Sequence, residues 1–61
     1  MDMKQERKRL GLTQAETAKA IGISRQYYNE IEKNPDSRKL SADIVRRIAE
    51  TFGVSMDEVV A

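Results

Sequence analysis

Apolar residues recur along the chain at helical spacing, in short segments separated by glycine and turn residues. The clearest stripe lies in residues 41–52, where the apolar side chains fall on one face of a helix. It consists of Ile44, Val45, Ile48, Ala49 and Phe52. Between residues 24 and 33, Tyr28 and Ile31 form an inward pair, and no segment shows the alternation of a strand. The pattern therefore predicts an all-α chain.

Residues that begin and end helices divide the chain further. Capping boxes are predicted at residues 13–16 and 55–58, because a hydroxyl residue stands three positions before a glutamate. The predicted N-caps are Thr13, Ser24, Ser41 and Ser55. The predicted stops are Gly11, Gly22, Gly53 and the turn Asn34-Pro35-Asp36-Ser37. The resulting helices span about 2–10, 13–21, 24–33, 41–52 and 55–60.

Residues 13–33 have the organisation of a helix-turn-helix, which is two short helices joined by a tight turn that contains glycine. Ala15, Ala18 and Ile21 are predicted to share the apolar side of the first helix, with Ala18 at the helix crossing. Gly22 can adopt the positive φ that the turn needs. The inward pair of the second helix leaves its outer face available to enter a DNA major groove.

Composition excludes several kinds of function. The chain has 61 residues without cysteine or histidine, so disulfides, a zinc site and Ser–His or Cys nucleophiles are not expected. We therefore expect neither an enzyme nor a cofactor, and no small-molecule ligand is evident. Apolar runs are too short to cross a membrane, and the first residues lack the apolar stretch of a signal peptide, so a cytoplasmic location is the default. The length predicts a single domain over residues 1–61.

The net charge of +1 conceals an uneven distribution. Residues 1–40 hold nine Lys/Arg and six Asp/Glu, whereas residues 41–61 hold two and four. This asymmetry indicates one basic face and an acidic C-terminal part, although an ordinary solvated surface would also account for it.

The order and spacing of these motifs resemble the phage repressor/Cro-like, or Xre-like, helix-turn-helix family. The resemblance is carried by Arg7-xx-Leu10-Gly11-Leu12-Thr13-Gln14, Ala18, Ile21-Gly22-Ile23-Ser24, Ile31-Glu32, Ser41, Ile48-Ala49 and Phe52-Gly53-Val54-Ser55-Met56-Asp57. It implies a compact five-helix bundle of the lambda-repressor-like type. It also implies binding to double-stranded DNA, usually as a homodimer, in the regulation of transcription.

The second motif helix supplies the candidates for base reading, which are Arg25, Gln26, Tyr27 and Asn29. Arg25 and Gln26 are the first choices, because arginine can bond guanine and glutamine can bond adenine through two atoms. Glu30 is doubtful because its charge repels phosphate. Tyr28 matches an apolar family position, so we expect it to pack in the core with its hydroxyl toward the surface.

The resemblance also implies contacts to the DNA backbone. The candidates are Gln14, Ser24, Arg7, Lys33, Arg38, Lys39 and Ser41. Arg7 and Glu32 match a pair that forms a structural salt bridge in similar proteins. The loop after the second motif helix departs from the family pattern at Pro35 and Asp36, so the choice between Arg38 and Lys39 stays open.

Two functions are compatible with these features. The first is a sequence-specific regulator, expected to be a repressor, that reads a two-fold-related operator as a dimer, with Met56 and Val59 as candidate dimer contacts. The alternative is an antitoxin-like or other protein-interaction module in which DNA binding is secondary. The near-zero net charge and the apolar C-terminal segment motivate this alternative.

Overall fold

Five α-helices account for most of the residues that the structure describes. The structure is a computed structural model that describes residues 1–33 and 39–61. The helices are α1 (Met3–Arg9), α2 (Gln14–Ile21), α3 (Arg25–Lys33), α4 (Ala42–Phe52) and α5 (Met56–Val60). Strands are absent from these two ranges. The all-α prediction is confirmed, and α2 to α5 each begin one residue after the predicted N-cap because the cap lies outside the helix.

Side-chain caps fix the starts of the helices. Thr13 and Glu16 form the complete predicted capping box, with the Thr13 Oγ1 accepting from the Glu16 N–H and the Glu16 carboxylate accepting from the Thr13 N–H. The backbone bond from Thr13 lowers the pKa of Glu16. At α5 only half of the predicted box forms: the Ser55 hydroxyl accepts from the Glu58 N–H at 3.1 Å, but the Ser55 N–H does not donate to the Glu58 carboxylate.

Gly22 makes the turn of the helix-turn-helix. It adopts φ 90° and ends α2, and its N–H donates to the Ala18 carbonyl at 2.9 Å. Residues with a Cβ rarely adopt this left-handed conformation. The short turn through Ile23 then places the Ser24 cap at the start of α3.

The core lies between α2, α3, α4 and α5, and Met3 anchors α1 to it. Its buried apolar members are Met3, Ala18, Ile21, Tyr28, Ile31, Val45, Ile48, Ala49, Phe52 and Val59. Ile44 is partly buried against this cluster. The predicted stripe of α4 is therefore confirmed, and α4 contacts both α2 and α5.

Three expectations about individual side chains are wrong. Ala15 is exposed, and Thr17 instead lies buried beside Ala18, where its hydroxyl donates to the Thr13 carbonyl at 2.9 Å. The Tyr28 hydroxyl does not reach the surface, because the whole side chain is 0 % exposed. Val59 is unsuited to a dimer contact because it packs in the core with 4 % of its surface exposed.

Two sequence predictions fall outside the described residues. These are the turn at residues 34–37 and the candidate Arg38. Within the described ranges, no helix has the length and hydropathy needed to cross a membrane.

Candidate nucleic-acid interface

Helix α3 has an inner face that packs and an outer face that carries the candidate base readers. Tyr28 and Ile31 hold the inner face in the core. Arg25 and Gln26 are exposed in the first turn, and no hydrogen bond or ion pair joins their side chains to another described residue. Tyr27 is 38 % exposed. Two polar side chains and an aromatic ring are thus presented together at the N-terminal end of α3.

Ser24 holds the start of α3. Its Oγ accepts from the Tyr27 N–H at 3.0 Å, and its carbonyl accepts from the Tyr28 N–H at 3.0 Å. The hydroxyl proton of a capping serine remains available as a donor. Ser24 can therefore cap the helix and donate to a phosphate at the same time.

Gln14 lies at the N-terminus of α2 and faces α3. Its Nε2 donates to the Asn29 Oδ1 at 3.1 Å and to the Glu32 Oε1 at 3.3 Å. A primary amide has only two N–H donors. Both are used inside the protein, so in this arrangement the Gln14 side chain has no donor left for the phosphate contact that the family resemblance implies.

The backbone at the same helix end remains suited to an anion. The N–H groups of Gln14 and Ala15 have no hydrogen-bond partner among the described residues, whereas those of Thr13 and Glu16 are used in the capping box. Unpaired N–H groups and the helix dipole together favour a negatively charged group at a helix N-terminus.

Arg7 and Glu32 form the ion pair that the family resemblance implies, and it joins α1 to α3. The Arg7 Nε lies 2.8 Å from the Glu32 Oε2, and the two side chains are 11 % and 5 % exposed. The Arg7 Nη1 also donates to the Leu12 carbonyl at 2.9 Å. Most of the Arg7 side chain is enclosed and engaged, which restricts its access to a phosphate.

This network sets the charge state of Glu32. Burial alone would raise the pKa of the carboxyl, but the Arg7 guanidinium, the neighbouring Tyr28 hydroxyl and the Gln14 amide together outweigh it. The pKa of Glu32 consequently lies below its ordinary value, while the hydrogen bond to Glu32 raises the pKa of Arg7. The pair is ionised at neutral pH.

The exposed cations fall into two groups. Arg9, Arg46 and Arg47 each form an ion pair with a carboxylate of their own helix. The second group is exposed and forms no ion pair with the carboxylates that residues 1–33 and 39–61 contain; its members are Lys4, Lys8, Lys19, Arg25, Lys33 and Lys39. Two of these six belong to α3 and Lys39 lies shortly after it in the chain, so unpaired positive charge is available to an anionic partner near α3 as well as on α1 and α2.

Two further candidates, Ser41 and Met56, lie at the starts of α4 and α5. The Ser41 Oγ caps α4 by accepting from the Ile44 N–H at 3.2 Å. Met56, at the start of α5, is 41 % exposed. The described residues contain no cluster of acidic side chains that could hold a metal ion.

Sequence reasoning missed the Gln14–Asn29 bond and the burial of Thr17. The bond joins residues 15 positions apart on different helices, so helix periodicity within one segment cannot indicate it. Thr17 does carry a signal, because residues 14, 17, 18 and 21 have the spacing of one helix face. Threonine is polar and so does not look like a member of an apolar stripe. It can be buried here because its hydroxyl donates to the carbonyl four residues earlier.

Comparison with known proteins identifies the family. A helix-turn-helix family model matches residues 3–59, which is nearly the whole chain. No curated protein and no solved structure matches at a significant level. With α2 and α3 forming the motif inside a five-helix bundle, the chain belongs to the Xre/Cro/CI-like helix-turn-helix family of DNA-binding transcription regulators.

Proposed function

We propose that this protein is a transcriptional repressor that reads a specific operator sequence in the DNA major groove through α3. The observation that carries the proposal is the exposed first turn of α3, where Arg25, Gln26 and Tyr27 stand outward while Tyr28 is buried behind them. A rigid helix with unengaged polar side chains at its N-terminal end is the form in which helix-turn-helix proteins present base-reading groups.

The chemistry assigns a role to each outward side chain. Arg25 can donate two hydrogen bonds to guanine O6 and N7, and Gln26 can bond adenine N6 and N7. Each such pair discriminates against a wrong base by about 1–3 kcal/mol. The Tyr27 ring suits a thymine methyl group, and its hydroxyl suits a phosphate.

Backbone contacts position the helix on the duplex. We assign them to the N–H groups at the start of α2, to Ser24, and to the exposed Lys33 and Lys39. Phosphate contacts supply affinity without sequence information and make it fall steeply with salt. Ser41 caps α4 as Ser24 caps α3 and likewise keeps its hydroxyl proton for a phosphate, whereas Arg7 is limited by its internal bonds.

A homodimer on a two-fold-related operator completes the proposal. Half-sites would lie about 34–36 Å apart, one turn of the DNA helix. Met56 supports this assembly because it is a large apolar side chain left 41 % exposed on α5. We place the protein in the cytoplasm, as expected for a regulator that must reach its operator.

Selection of bound duplexes from a random pool tests the central claim. The wild-type protein should enrich a two-fold-related sequence, and Arg25→Ala/Gln26→Ala should lose preference at the base pairs that these residues read. Lys19→Ala is the matched control, because it removes an exposed cation of α2 outside the proposed base-reading turn, and we expect its selected sequence to be unchanged. An unchanged preference in the double variant would overturn the assignment. A wild-type protein that shifts no DNA would favour the antitoxin-like alternative.

Sedimentation equilibrium tests the dimer. The wild-type protein should associate as its concentration rises, and Met56→Lys should shift the equilibrium toward the monomer because a charge then enters an apolar contact. Association that is unaffected by Met56→Lys would exclude this surface.

A further inference from the structure

Asn29, expected as a base reader, has a side-chain hydrogen bond inside the protein that the other candidates on α3 lack. Its Oδ1 accepts from the Gln14 Nε2 at 3.1 Å, and the side chain is partly buried between α2 and α3. An asparagine that reads adenine uses its amide oxygen and its amide nitrogen together. The bond from Gln14 occupies one of the two lone pairs of the Asn29 Oδ1 and directs the carboxamide toward α2, so Asn29 is engaged inside the protein whereas Arg25 and Gln26 are not.

The same bond belongs to a chain of contacts that links three helices. Gln14 donates both to Asn29 in the middle of α3 and to Glu32 one turn later. Glu32 in turn is held by Arg7 of α1. Two hydrogen bonds therefore join the N-terminus of α2, with its unpaired backbone N–H groups, to the helix that carries Arg25 and Gln26.

We infer that Asn29 is a positioning residue for DNA binding and not a base reader. By holding the Gln14 carboxamide, it fixes the start of α2 relative to α3, so that a phosphate on α2 and bases on α3 can be engaged in one docking geometry. Gln14 then contributes its backbone N–H to the phosphate, and its side chain acts inside the protein. This inference rests on the proposed DNA-binding function and names the residues that set its geometry.

A double-mutant cycle on the selected operator tests the inference. Asn29→Ala should weaken binding by about 2-fold to 10-fold, the range for loss of one hydrogen bond. Gln14→Ala should weaken it by at least as much, since it also loses the bond to Glu32. Because the two residues act through one another, Gln14→Ala/Asn29→Ala should bind as Gln14→Ala does.

The base preference distinguishes positioning from reading. Asn29→Ala should select the wild-type sequence at every base pair, whereas Gln26→Ala, the positive control, should lose preference at one. Binding is measured well below the unfolding temperature of each variant, so that loss of folded protein does not enter the dissociation constant. A merely structural asparagine would leave that constant unchanged, which would overturn the inference. A relaxed preference at one base pair, or losses that add in the double variant, would also overturn it.

The side-chain amide resonances of Gln14 provide a readout without DNA. In the wild-type protein, bonding to Asn29 should separate the two Gln14 amide protons and slow their exchange, and Asn29→Ala should reduce both effects. Unchanged Gln14 resonances in that variant would refute the bond itself. If the wild-type protein selects no sequence, both the proposed function and this inference are wrong. If only the Asn29→Ala results differ from expectation, the inference alone fails.

Discussion

The Tyr28 hydroxyl presents an energetic problem at the scale of one residue. It is buried beside the Glu32 carboxylate and the Arg7 guanidinium, but it forms no hydrogen bond of good geometry to any residue that the structure describes. Burial raises the pKa of this phenol, and the neighbouring Glu32 carboxylate raises it further. An unsatisfied buried hydroxyl costs about 1–3 kcal/mol, while the ring remains valuable as core packing.

Removing that hydroxyl should stabilise the protein. We expect Tyr28→Phe to raise the free energy of unfolding by about 1 kcal/mol, because the ring stays and the unpaired oxygen is lost. Urea denaturation measures the change, and Tyr27→Phe is the matched control because Tyr27 is exposed and should show almost none. A loss of stability in Tyr28→Phe would instead reveal a hydrogen bond from the hydroxyl in solution.

At the scale of the helix, the Arg7–Glu32 pair makes the attachment of α1 to α3 depend on pH. The pKa of Glu32 is lower in the folded protein than its ordinary value of 4.5. A carboxyl whose pKa is depressed by folding stabilises the protein above its unfolded pKa, and this stabilisation is lost as the pH falls through its folded pKa. The pair therefore contributes fully at neutral pH and progressively less below about pH 4.5.

Glu32→Gln should remove this dependence. At pH 7 the variant should be less stable by about 1–3 kcal/mol, the range for hydrogen bonds to charged groups. The difference from wild type should shrink as the pH falls below about 4.5, where Glu32 itself becomes neutral. Glu30→Gln makes the same change at an exposed site of α3 and serves as the control. A difference in the free energy of unfolding between wild type and Glu32→Gln that stays constant down to pH 2 would show that ionised Glu32 is not the source of the pH dependence.

Local chemistry explains why helix ends and most of the core could be predicted from the sequence. The Thr13 and Ser41 caps bond N–H groups three residues away, so each is visible in a short segment. Tyr28 was correctly placed in the core because it follows the helical period. The Gln14–Asn29 bond could not be predicted, since it depends on how α2 crosses α3. The exposure of Met56 and burial of Val59 likewise depend on how α5 lies against α4.

At the scale of the whole molecule, small size limits stability. The principal extents of the described chain are 23 × 20 × 18 Å. A core in a domain of about 60 residues rarely supplies more than roughly 3–5 kcal/mol. Ile48 lies at the centre of that core on α4 and is 0 % exposed. Truncating a buried isoleucine to alanine costs about 2–5 kcal/mol, which is comparable with the entire stability.

Ile48→Ala should therefore be largely unfolded alone and should fold when it binds DNA. A ligand that binds only the folded state stabilises it by about 2.7 kcal/mol at a concentration 100 times its dissociation constant. Circular dichroism should show little helix in the free variant at 37 °C and a gain of helix on addition of the selected operator, with a smaller gain on an unrelated duplex. Ile48→Val, which costs about 0.5–1.5 kcal/mol, should stay folded without DNA. If Ile48→Ala is fully helical without DNA, the core contributes more to the free energy of unfolding than its size implies, and the prediction is wrong. If Ile48→Ala binds the operator tightly without gaining helix, binding does not depend on the folded bundle, which contradicts the role of the core in holding α3 in place.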